Sequence, residues 1–293
     1  MRIAIFGSRG FIGHEVLRQA PKGYELLILN RPKGDVRDPS LFVQALIDFK
    51  PDAVINLSAL LGSLISSPPV RELFETNTLG ALNVAYAAHR AGAKSHIFVS
   101  SVVVHGESKR GEILGRFSPF APKHPYGASK ASAEFALQQF SREQRDMAIV
   151  SLRPPSVIGT GTEVVQTPFE FIKEIKEGRD IKIFGDGLHE REFVSVRDVA
   201  AGIWQATAWS VSTHKTYQPF FLTGNPASMK ELAEKAVKMF GGKTVYIPKT
   251  VQSFSLITDP SESEQAFGWR AHADLGSMLD DVACHVGLSR LPA

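Results

Sequence analysis

The stretch Ile3-Ala4-Ile5-Phe6-Gly7-Ser8-Arg9-Gly10-Phe11-Ile12-Gly13 decides how this chain folds. Its first four residues are an unbroken apolar run, the pattern of a strand buried on both faces of a parallel sheet. Glycines follow at 7, 10 and 13, and a helix-like apolar segment opens at Phe11. Gly7 allows the sharp turn from strand to helix, Gly10 lets backbone approach a bulky anion, and Gly13 lets the helix pack on the strand. The helix start presents free N–H groups and the positive end of a dipole. A purely structural turn is the alternative, but the strand–turn–helix setting predicts a diphosphate site, and hence a bound dinucleotide, over Gly7, Gly10, Phe11, Ile12 and Gly13.

Outward from this turn, apolar runs alternate with helical patterns. Tyr24–Leu29, Ala53–Leu57, His96–Ser100 and Ala148–Leu152 read as strands. Phe11–Gln19, Ser40–Phe49, Val70–Ala91 and Pro125–Glu143 read as helices, with Asp38 or Ser40 capping the second and Gly92 stopping the third. Strands separated by helices pair in parallel through right-handed crossovers. The expected fold is α/β, a doubly wound parallel sheet of the Rossmann type. Residues 1–153 would form the dinucleotide-binding domain and 154–293 a smaller, mainly substrate-binding region. Pro154-Pro155 and Gly159-Thr160-Gly161 mark the change. The segment 192–208, strand-like at Phe193-Val194 and helix-like at Val199–Ala206, is a candidate to return to the first domain.

The second strand ends at Asn30-Arg31, where many dinucleotide sites carry a carboxylate for the ribose 2′-hydroxyl. Asn30 would not repel a 2′-phosphate, and Arg31 and Arg9 would pair with one. Each such contact contributes roughly 1.5–3 kcal/mol, so two would favour NADP(H) over NAD(H) by about a hundredfold or more. Asp35 and Val36 are placed beside the adenine. Two solvated arginines are the bland alternative.

Ser101 follows the fourth strand, at the sheet end that delivers ligand-facing residues. Tyr126 and Lys130 lie four apart in Pro125-Tyr126-Gly127-Ala128-Ser129-Lys130, on one helical face. Hydride transfer at an alcohol or ketone carbon needs a proton moved at the oxygen. Tyrosine, with a pKa of about 10, is a poor base at neutral pH. A lysine ammonium about 4 Å away would favour the phenolate by on the order of 4 kcal/mol, lowering that pKa by about three units. A serine hydroxyl would hold and polarise the same oxygen. Ser101, Tyr126 and Lys130 are therefore the expected catalytic set, with Tyr126 and Lys130 also touching the cofactor.

Of the 293 residues 43% are hydrophobic and 22% charged, an ordinary globular balance. The net charge of +3 comes without a dense basic run, so a nucleic-acid partner is not expected. The single cysteine excludes a disulfide framework and a cysteine-rich metal site. The N-terminal apolar run is too short for a signal peptide, and no run approaches the roughly 20 residues that span a bilayer. A cytoplasmic protein with no metal and no membrane partner is the expectation.

With these residues in place the chain resembles the extended short-chain dehydrogenase/reductases, the NAD-dependent epimerase/dehydratase family, over almost its whole length. Gly7, Gly10 and Gly13 match the nucleotide turn. Asn56-Leu57-Ser58-Ala59 resembles the segment behind the nicotinamide, which implies cofactor contacts for Leu57, Ser58 and Ala59. Asn77 matches the asparagine that opens the next helix. Ser101 stands five residues before Gly106, as the catalytic serine or threonine does. Arg153-Pro154-Pro155-Ser156-Val157-Ile158-Gly159 resembles the substrate-proximal loop, with Ser156 where asparagine is usual. Phe184–Val194 resembles the segment that grips a nucleotide-sugar, where Arg191 would hold the diphosphate. His189 replaces a more usual glutamine and takes no role.

The departures matter as well. Dehydrating members carry Asp-Glu after the catalytic serine or threonine, whereas Val102-Val103 transfer no protons, so dehydration is not expected. Members that epimerise and reduce GDP-linked ketosugars carry a cysteine where Val102 stands. The resemblance implies hydride transfer at C4 of a nucleotide-activated sugar. NADPH-dependent 4-ketosugar reduction is favoured through Arg9 and Arg31. A 4-epimerase with tightly bound NAD, a non-catalytic dinucleotide sensor, and the same chemistry on a non-sugar alcohol or ketone are the alternatives. It also implies a possible homodimer through Val70–Ala91 and Pro125–Glu143, although both helices would serve equally by packing on the sheet.

Overall fold

In the structure, a computed structural model describing residues 1–61, 68–109, 111–161, 167–213, 216–248 and 255–291, strand β1 (Arg2–Phe6) passes through Gly7 into the helix Phe11–Arg18. Around β1 pair β2 (Glu25–Leu29), β3 (Ala53–Asn56), β4 (Ser95–Val99), β5 (Ala148–Arg153) and β6 (Tyr217–Phe221). Among the described residues they form one six-stranded sheet, every pairing parallel, in the order β6-β5-β4-β3-β1-β2. The order reverses between β1 and β3, and parallel sheets bind ligands at the carboxyl ends of the strands beside such a switch point. There the Gly7 turn and Asn56-Leu57 face each other. Apolar cores cover both sheet faces, as the continuous apolar strands require.

The helix Val70–Ala91 of the sequence reading runs as Val70–Phe74, a π-helical segment Glu75–Leu79, and Gly80–Arg90. The wide turn carries Asn77, whose buried amide donates to the Leu60 carbonyl (2.9 Å) and accepts from the Leu60 N–H (2.8 Å). Asp38 accepts from the Ser40 N–H (3.1 Å) and caps a short 3₁₀ turn, Pro39–Leu41, ahead of the helix Val43–Phe49. The helix Pro125–Glu143 spans the residues the sequence indicated, with Pro125 in its first turn.

Beyond Arg153 the chain weaves between two layers. Ser156–Ile158, Glu190–Ser195, Asn225–Ser228, Ser255–Thr258 and Ile113–Leu114 build a second, mixed sheet beside the cleft. The helices Thr167–Lys176, Met229–Phe240 and Leu275–Val286 share a core with it. The helix Val196–Ser212 instead lies against Phe11–Arg18 and closes the first sheet face with Val199, Ala200 and Ile203. β6 then joins the edge of the central sheet, a strand the sequence reading did not anticipate. No helix among the described residues is long and apolar enough to cross a membrane, and no His/Cys/Asp/Glu cluster among them is arranged to hold a metal ion.

Candidate active site

Two adjoining compartments meet at Gly7, Gly10, Leu57 and Ala59. The first, a cavity of about 320 Å³, takes in Phe11, Ile12 and Gly13 from the helix start, Ser101 after β4, and Tyr126 and Lys130 from Pro125–Glu143. Ser156 and Arg191 line its far wall. The second, of about 400 Å³, is lined by Arg9, Asn30, Arg31, Asp35, Val36 and Ser58. Every expected site residue except Asn77 lines one of these compartments. Asn77 is spent on Leu60 and on the Ser129 hydroxyl (2.9 Å), so it shapes the cleft floor from behind.

A dinucleotide fits the glycine turn on its own geometry. A Cβ on Gly7 would lie 2.7 Å from the Ser58 nitrogen, and one on Gly13 2.5 Å from the Ser8 Cα, so packing inside the protein demands both glycines. At Gly10 the nearest atom would be the Gly7 oxygen at 3.4 Å, and the space left open is the cleft itself. No side chain caps the helix start at Gly10, and its first turn carries no acidic residue, leaving it to an anion.

In the second compartment Asn30 donates to the Ser8 hydroxyl (2.9 Å). Arg37, which the sequence reading missed, also lines it and pairs with Asp35 (Nη2–Oδ2 2.6 Å). That guanidinium holds the Asp35 carboxyl below its ordinary pKa. Three arginines thus line this end of the cleft, and Arg37 among them is paired with Asp35. A signal existed in Asp35-Val36-Arg37, since an (i, i+2) pair in a turn brings both side chains together.

Ser101, in extended backbone, caps the 3₁₀ turn Val102–His105 through a long bond from the Val103 N–H (3.4 Å). Lys130 is 1% exposed; its ammonium donates to the Val99 carbonyl (2.8 Å) and stands 4.6 Å above the Phe98 ring. Burial pulls its pKa down to about 7, with the Glu134 carboxylate opposing. Burial pushes the Tyr126 phenol above its ordinary value. Burial thus works against the phenolate expected beside Lys130.

Further residues of the wall escaped the sequence reading. Glu192 lines the first compartment, is 3% exposed, and accepts from the Thr258 N–H (3.1 Å) and hydroxyl (2.7 Å), and burial raises its pKa to about 7. Its neighbour Glu190 accepts from the Ser255 hydroxyl (2.9 Å). Both carboxylates next to Arg191 are thus engaged with the strand Ser255–Thr258, while Arg191 itself lines the cleft. Val102 and Val103, with Pro154, Pro155 and Leu256, make the remaining wall apolar.

Residues 3–218 match the NAD dependent epimerase/dehydratase family. A UDP-glucose 4-epimerase of Neisseria meningitidis serogroup B is 25% identical over 326 residues, covering 96% of this chain and 95% of the relative. The crystal structure of UDP-glucose-4-epimerase from Stenotrophomonas maltophila, with bound NAD and formylated UDP-arabinopyranose, superposes with a TM-score of 0.85 at 20% identity, over 97% of each chain. That of dTDP-glucose 4,6-dehydratase from Bacillus anthracis, in complex with NAD, gives 0.83 at 17% identity, over 98% of this chain and 96% of the other. At these identities the structural likeness is one of fold.

Proposed function

The chain belongs to the NAD dependent epimerase/dehydratase family, and we propose that it carries out hydride transfer at C4 of a nucleotide-activated sugar, in the direction of NADPH-dependent 4-ketosugar reduction. One observation carries the reading: Ser101, Tyr126 and Lys130 converge on a cleft that continues into a compartment ringed by Arg9, Arg31 and Arg37. The glycine turn would hold the diphosphate of the dinucleotide, and the nicotinamide supplies the hydride when bound. Tyr126, kept protonated by burial, delivers the proton to the oxygen that becomes the alcohol. The Ser101 hydroxyl orients that oxygen, and Lys130, anchored on Val99, fixes the ribose side. Val102-Val103 leave no group to expel water, which separates this site from dehydration. Ser156 and Arg191 hold the sugar nucleotide, Arg191 through its diphosphate. The exposed Tyr86 and Phe135 give the helices Gly80–Arg90 and Pro125–Glu143 apolar outer positions suited to a homodimer.

A second reading, 4-epimerisation on retained NAD, is favoured by the Neisseria relative that matches over nearly the whole chain. The nucleotide released from the purified protein on denaturation separates the two. Reductase activity predicts protein free of dinucleotide that consumes added NADPH with a 4-ketosugar nucleotide. Stoichiometric NAD carried through purification, with interconversion of UDP-sugars, would establish the epimerase instead.

The arginines make a separate forecast. Exchanging Arg9 and Arg31 for alanine removes two charge-assisted hydrogen bonds to a 2′-phosphate. NADPH binding is expected to weaken about a hundredfold and NADH binding only a few-fold. Fluorescence titration with the two nucleotides measures both. Equal weakening would show that the arginines serve the diphosphate or the surface in general.

A further inference from the structure

Behind the candidate catalytic residues lies a largely buried charged cluster. Glu134 is 0% exposed and Arg153 2% exposed. The guanidinium donates to the carboxylate from Nε (2.9 Å) and Nη2 (2.7 Å). Glu134 also accepts from the Tyr217 hydroxyl (2.5 Å) and the Ser100 hydroxyl (2.6 Å). Arg153 Nη1 continues to the Arg116 carbonyl (2.6 Å) and to His105 Nε2 (3.1 Å). A buried ion pair adds little net stability compared with apolar residues of the same size, so holding the fold together is a weak reason to bury one here.

Its position supplies a better reason. Glu134 lies one helical turn beyond Lys130, and the two side chains grip consecutive residues of the same strand end: Lys130 the Val99 carbonyl, Glu134 the Ser100 hydroxyl. Ser101 is the next residue. Arg153 is followed by Pro154-Pro155-Ser156, the opposite wall of the cleft. One carboxylate therefore ties together the helix, the end of β4 and the end of β5.

Building on the proposed function, we infer that Glu134, held by Arg153, is a positioning residue that sets Ser101 through Ser100 and supplies the negative charge facing Lys130. The titratable groups of the cluster and its surroundings are Tyr126, Lys130 and Glu134 on one helix, Arg153 on β5, Tyr217 on β6 and His105 after Ser101, and of these Glu134 is the one whose charge acts on Lys130. Burial keeps Tyr126 and Tyr217 protonated and lowers His105 to about 4, so near neutral pH all three are uncharged. Arg153 is permanently cationic, which leaves Glu134 as the balancing anion of the group.

The test uses the full chain without added ligand, and then turnover. Lysine labelled with ¹³C at the ε-carbon reports the Lys130 titration by NMR, the signal being assigned by its loss in Lys130→Met. The wild-type midpoint is expected near 7. Glu134→Gln, which keeps shape but removes charge, is expected to lower it by about one pH unit, and Ser100→Ala to leave it in place. With NADPH and the sugar nucleotide that the wild type converts, kcat is expected to fall about tenfold in Ser100→Ala and about a hundredfold in Glu134→Gln, with KM nearly constant. An unmoved Lys130 midpoint in folded Glu134→Gln overturns the charge role. Wild-type kcat in Ser100→Ala overturns the positioning role, and that variant decides the question if Glu134→Gln does not fold. Full turnover in a parallel Tyr126→Phe variant would refute the active-site reading itself, whereas the NMR titration stands independently of it.

Discussion

Tyr126→Phe is expected to lower turnover by about 10²–10⁴-fold while leaving NADPH affinity within a factor of about two. The substitution removes one oxygen and keeps the ring, its half-buried packing and the helix that presents it. On the proposed function the lost atom is the proton donor, and hydride delivery to a carbonyl carbon without a proton for the oxygen would leave an alkoxide in a cleft whose wall is largely apolar. Such a charge is costly away from water. Because burial raises the Tyr126 pKa, the wild-type acid remains protonated across the neutral range, and the reductive rate should not fall on account of Tyr126 as pH rises from 6 to 9. Steady-state kinetics with a 4-ketosugar nucleotide, beside a fluorescence titration of NADPH, measures both quantities. A parallel loss of turnover and of NADPH binding would move Tyr126 from proton transfer to cofactor support.

The second large effect is on stability. His96 sits on β4, is 0% exposed, and neither ring nitrogen has a hydrogen-bond partner among the described residues. Burial lowers its pKa from 6.5 to about 3. Below pH 6.5 the unfolded chain binds a proton that the folded chain refuses, so His96 costs stability progressively as pH falls toward 3. Across that window the loss reaches roughly 4–5 kcal/mol. His96→Leu removes both this penalty and the two unsatisfied nitrogens. It is expected to raise unfolding stability by about 2 kcal/mol at pH 7.5, the desolvation cost, and by about 4 kcal/mol at pH 5. Urea unfolding of both proteins at the two pH values isolates the His96 contribution, because the carboxylates titrate equally in each. A difference that does not grow on acidification would mean that His96 meets a proton acceptor in solution.

The elements legible in the sequence were those whose signal is local. The first strand–turn–helix follows from eleven consecutive residues, and Pro125–Glu143 from its proline start and the Tyr126–Lys130 spacing. β6 escaped because Tyr217-Gln218-Pro219-Phe220-Phe221 carries a proline that argues against a strand. It is tolerated because β6 is an edge strand, paired only to β5. The π-helical segment at Asn77 was invisible because its cause is the bond to Leu60, 17 residues away. The Glu134–Arg153 cluster joins a helix, two strands and the residue that follows a third, and no periodicity announces such a meeting. Lys130 was found by spacing, but its burial and that of the Tyr126 phenol belong to the tertiary structure alone.

The route of the chain after Arg153 has a consequence for how the molecule can move. The second sheet receives Ser156–Ile158 and Glu190–Ser195, the helix Val196–Ser212 goes back under the first strands, β6 completes the central sheet, and Asn225–Ser228 crosses over once more. The lobes on either side of the cleft are stitched together by repeated passes. A fragment ending at Arg153 would lack the helix Val196–Ser212 and leave an apolar sheet face bare. Wide jaw-like opening about a single hinge is denied to such a molecule. Ligand entry is then expected at the loops of the rim, with little relative motion of the two lobes.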